Sequence, residues 1–127
     1  MSMTVTISQW LVRITGVLLL ILGLLFWTGD ALNLVPVHML LGTLLVLGLW
    51  LLAASAWQLG VPPGLTIGAA VLGLIVLLLG FAQTSLLPGG AHWIIQVIHL
   101  LLGVAAVASG EMIGGRLRRS RATASAA

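Results

Sequence analysis

Two stretches of this chain carry the same five-residue pattern: His38-Met39-Leu40-Leu41-Gly42 and His99-Leu100-Leu101-Leu102-Gly103. Each lies inside an apolar segment, where an ionisable side chain is costly and by default marks a functional site. A lone histidine in such a segment is as often a hydrogen-bonded packing residue. Two histidines at matched positions favour joint work: neutral imidazoles on facing helices can ligate one metal, with their ligating nitrogens about 4 Å apart across two bonds of ~2 Å. The expected pair is His38 and His99 as axial ligands of heme b, with Gly42 and Gly103, four residues on from each, beside the macrocycle. A third histidine, His92, stands seven residues before His99 on roughly the same face. It could touch heme propionates, replace His99 as ligand, or cap its helix at the interface, and the first and last of these are preferred.

Other chemistries fit less well. With no cysteine there is no disulfide, thiolate metal site, iron-sulfur cluster or covalent heme attachment. A catalytic zinc or di-iron site needs three or more nitrogen or carboxylate ligands. The chain has only Asp30 and Glu111 as acids. Glu111 and Arg13 are expected to pair between the first and last helices as a structural contact, and Gln96 is expected to pack. The five basic residues are arginines crowded near the chain ends without interleaved aromatics, which argues for a topology signal, with anionic lipid as a secondary partner, and against nucleic acid.

The elements that must position the histidines follow from composition. The chain has 127 residues, 61% hydrophobic and 6% charged, far from a soluble domain and typical of a membrane protein. Four stretches approach the roughly 20 residues that a spanning helix needs: Gln9–Trp27, Val37–Trp57, Gly64–Ala82 and His92–Ile113. The expected architecture is all-α, a four-transmembrane-helix bundle over residues 1–113, followed by a basic, disordered tail over 114–127. Pro36 suits the first turn of the second helix, and Gly60 to Pro63 makes a tight turn. Met1 to Ser8 lacks the basic region and cleavage site of a removable signal, so the first span is expected to be retained. Four spans put both termini on one side, and every arginine lies on that side. The positive-inside rule makes it cytoplasmic, with the histidines toward the outer leaflet of the plasma (inner) membrane.

The repeat extends beyond the histidines. Gly16 and Gly23 recur as Gly73 and Gly80, displaced by 57 positions, while His38 and Gly42 recur displaced by 61. Two hairpins in parallel orientation follow, related by a pseudo-twofold axis along the membrane normal, with the four-residue difference in the second outer loop. The axis brings His38 and His99 to similar depth. Below His99, Gly103, Ala106 and Gly110 form a stripe without long side chains, against which a flat group or a helix could lie.

With His38 and His99 on the second and fourth helices near the outer face, nearly the whole chain resembles one half of the heme A synthase family. It is also similar to other small four-helix membrane cytochromes. The resemblance implies a four-helix bundle with a heme pocket. The glutamate and arginine that flank the family's histidine on the second helix are here Val35 and Met39, so heme-methyl oxidation is not implied. The expected function is that of a b-type heme protein carrying electrons or heme, as a small subunit beside other membrane redox subunits or quinol, or as a homo-oligomer. Two axial histidines leave no open position for oxygen chemistry, which weighs against an enzyme. The alternative is a cofactor-free accessory subunit of a larger membrane complex. A small multidrug-type transporter is weaker still, because the first helix has no mid-membrane acid.

Overall fold

The structure, a computed structural model, describes the backbone of residues 3–126 and the side chains of residues 3–120. It is an all-α bundle of four helices, α1 (Met3–Trp27), α2 (Val35–Gln58), α3 (Pro63–Ala82) and α4 (His92–Ala126), each long and apolar enough to cross a membrane. This is the multi-pass architecture that the apolar runs predict.

Local chemistry sets the ends. α1 stops where Gly29 takes a positive φ of 85°, so that Asp30 N–H donates to the Leu25 carbonyl and Gly29 N–H to that of Phe26. Gly60 does the same for α2, with Val61 N–H donating to Ala56 and Gly60 N–H to Trp57. These are paired C-terminal caps that need a left-handed residue. Pro36 sits in the first turn of α2, and α3 opens on Pro63, where a missing N–H costs nothing.

The helices form a ring in chain order, and α2 also touches α4 across it. Packing obeys the repeat. Gly16 of α1 faces Val107 of α4, and Gly73 of α3 faces Val46 of α2, positions related by the 57- and 61-residue displacements. The buried residues Leu45, Leu52 and Ala56 correspond to Ala106, Ile113 and Leu117, buried likewise. Outward positions match too, since Leu40 is 60% exposed and its counterpart Leu101 62%. Two parallel hairpins related by a pseudo-twofold axis therefore describe side chains as well as helices.

Two expectations change. The four extra residues of the second hairpin are taken up as helix: α2 begins at Val35, whose counterpart is Gln96, but α4 begins a full turn earlier at His92. That added turn is why His99 lies deeper in its helix than His38 while staying level with it. Secondly, α4 does not end at Ile113. It continues through Gly114 and Gly115, and the tail expected to be disordered from 114 is helical to Ala126. Leu117 is buried, and Arg118 Nη1 donates to Gln9 Oε1 on α1 at 2.7 Å. Those contacts outweigh the helix-breaking tendency of two glycines.

Candidate functional site

The added turn of α4 and the proline-initiated start of α2 bring His38 and His99 together near the end of the bundle opposite the termini. Their ring centroids are 6.3 Å apart, with the ring planes tilted by 51°. Two metal bonds of ~2 Å, plus about 1 Å from each ligating nitrogen to its ring centre, give about 6 Å for axial imidazoles on one iron. The observed separation matches that figure.

Each imidazole rests on a glycine of its own hairpin. A Cβ at Gly23 would lie 3.9 Å from His38 Cε1, and one at Gly80 would lie 3.2 Å from His99 Cε1. The seven-residue glycine pairs are thus divided in use: Gly16 and Gly73 allow helix contact, while Gly80 makes room for the His99 ring and Gly23 borders that of His38 at ordinary contact distance. On the other side of His38, Phe26 stands at a centroid distance of 5.4 Å. This contact was not legible in the sequence, because it depends on how α1 crosses α2.

Both Nδ1 atoms are buried and have no hydrogen-bond partner. An unsatisfied buried polar atom costs about 1–3 kcal/mol, and here the cost is incurred twice, at symmetric positions. Each ring therefore keeps one buried nitrogen uncommitted to the protein, as a site awaiting a ligand bond would. Among the described residues no group of three or more histidines, aspartates or glutamates converges. The donor set is two imidazoles, short of a tetrahedral zinc site and sufficient for the axial positions of a porphyrin iron. The residues fit heme.

Gly42 and Gly103, one turn below the rings, border open space: a Cβ at either would meet nothing within 4 Å. The stripe below His99 is divided, however. Ala106 is fully buried and Gly110 packs on Val12 and Leu49, so only its Gly103 end is open to a flat group. His92 is not drawn into the pair. Its Nδ1 lies 3.1 Å from the Leu86 carbonyl, and since a carbonyl only accepts, Nδ1 carries the proton and ties the loop to the first turn of α4. The contact anchors the loop and does not cap the helix, and Nε2 is left as the available ring nitrogen.

At the other end of the bundle Arg13 binds Glu111 through two bonds, Nε to Oε1 at 2.6 Å and Nη2 to Oε2 at 2.7 Å. The expected pairing of α1 with α4 is present. Gln9 joins it by donating from Nε2 to Glu111 Oε2 at 3.4 Å while accepting from Arg118.

Comparison with protein-family models, with curated proteins and with solved structures gave no match.

Proposed function

We propose that this protein is an integral-membrane b-type heme protein, with His38 and His99 as the axial ligands. The observation that supports the reading is the symmetric imidazole pair: rings 6.3 Å apart, each with a buried Nδ1 lacking any partner. Bound heme would supply a one-electron ferric/ferrous couple. The chain's own residues do the rest. Gly80 makes room for the His99 ring, Gly23 borders that of His38, Phe26 flanks His38, and the openings beside Gly42 and Gly103 admit a flat group.

The role that follows is electron transfer or heme carriage as a small subunit of a membrane redox complex. With the arginines marking the cytoplasmic side of an inner membrane, the site lies toward the outer leaflet. A heme near one face does not carry electrons across the whole bilayer, so a second redox subunit or a quinol completes the path. One observation favours the simpler reading of a cofactor-free accessory subunit: Gly64 and Gly68 make an exposed small-xxx-small face on α3 that nothing among the described residues covers.

Absorption spectra of the detergent-purified protein, oxidised and dithionite-reduced, test the proposal. A Soret band with sharp reduced α and β bands is the expected result. No band after heme supplementation would leave the accessory-subunit reading.

A further inference from the structure

The extension of α4 builds a second site. Arg116 and Arg119, three residues apart and so on one face of the helix, stand beside the α2–α3 turn. With Gly60, Val61 and Pro62 they enclose an open notch of about 190 Å³, roughly six water volumes. Beside the notch, Leu117 is buried and holds α4 against the bundle.

Charge and depth indicate the occupant. Against five arginines the chain has two acids, Asp30 at the opposite end and Glu111 already bound by Arg13. Counted over the sequence, this end carries a net positive charge. Trp57, 54% exposed and two residues before Leu59 of the notch wall, is the side chain that prefers the level of lipid headgroups. A cationic cleft at that level faces phosphates. Guanidinium groups bind phosphate through paired N–H donors, and each basic residue near an anionic membrane surface adds about 1 kcal/mol.

From this we infer that the notch between Arg116, Arg119 and the Gly60–Pro62 turn is a binding site for the phosphate of an anionic phospholipid. The inference is independent of the heme reading.

The test is a lipid titration of the full chain in a neutral detergent, followed by native mass spectrometry. Dioleoylphosphatidylglycerol should be retained as one bound molecule, with dioleoylphosphatidylcholine and inorganic phosphate much weaker. Arg116→Gln and Arg119→Gln should each weaken retention about fivefold, with circular dichroism unchanged. Arg118→Gln removes the same charge from the side of α4 facing α1 and should have less than about a twofold effect. Equal loss with Arg118→Gln would mean diffuse attraction to the tail and overturn the site. Equal retention of phosphatidylcholine would also overturn it, and tight binding of inorganic phosphate would reassign it to a soluble anion.

Discussion

Trp50 and Glu111 occupy equivalent places in the two hairpins, and each reaches across to the equivalent residue of the neighbouring helix. Glu111 on α4 binds Arg13 on α1, while Trp50 on α2 donates from Nε1 to the carbonyl of Ala70, the counterpart of Arg13, at 3.0 Å on α3. The correspondence extends around them. The shallow cleft of about 220 Å³ beside Trp50, which Trp57 and Thr66 also line, lies where Glu111, Arg118 and Gln9 form their network in the other half. One duplicated contact between hairpins has been built once as an ion pair and once as an indole hydrogen bond.

Exchanging the two solutions tests that equivalence. Arg13→Ala combined with Glu111→Trp should be more stable than Arg13→Ala combined with Glu111→Ala, because an indole at 111 can repeat the bond that Trp50 makes. The difference, read as thermal stability in detergent, should be about 0.5–1 kcal/mol.

Breaking the ion pair from one side should cost more than removing it. Arg13→Ala leaves Glu111 with only the long Gln9 bond and the more distant charge of Arg118. Because both side chains are a little over a third exposed, about 1–3 kcal/mol is expected rather than the full cost of a buried pair. Adding Glu111→Ala should restore part of it. Denaturant titration of the three variants measures both effects.

On the proposed heme reading, His38→Ala and His99→Ala should each abolish the bis-imidazole spectrum. His92→Ala should leave the band positions within a few nanometres and lower thermal stability by about 1 kcal/mol, the worth of its bond to Leu86. Loss of heme with His92→Ala alone would reverse the assignment of ligands.

The glycines beneath the rings should differ in tolerance. Gly80→Ala sets a methyl group 3.2 Å from His99 Cε1, tight enough to displace the ring, whereas Gly23→Ala reaches ordinary contact at 3.9 Å from His38 Cε1. Heme occupancy, measured as the pyridine hemochrome per protein, should fall severalfold for the first variant and little for the second.

Cutting the chain after Ile113 removes Leu117 and Arg118 together. Leu117→Ala alone should cost about 2 kcal/mol or more if its buried site does not collapse, and the truncation should cost at least as much. Equal stability of the truncated and full chains would return the tail to a passive role.

The spans, the two-hairpin symmetry and the histidine pair were legible because each leaves a periodic trace: apolar runs of membrane length, glycines seven apart, and one pentapeptide written twice. The Arg13–Glu111 pair was legible because charges are so scarce. Contacts to backbone leave no such trace, so Trp50 with the Ala70 carbonyl and His92 with that of Leu86 needed the structure. Gly114-Gly115 misled for a different reason. Adjacent glycines mark a helix end when nothing beyond them is anchored, and here the anchor is Leu117, three residues past the first of them.

The pseudo-twofold axis between His38 and His99 has a spectroscopic consequence. A flat, asymmetric ligand turned over about that axis would meet nearly the same walls, so two rotational isomers of the bound group should be close in energy. The walls differ where Phe26 stands beside His38, because its counterpart, just past the end of α3, is Gln83. That single exchange of aromatic for amide would set the ratio of the isomers, and doubled hyperfine-shifted methyl resonances in the proton spectrum would report it.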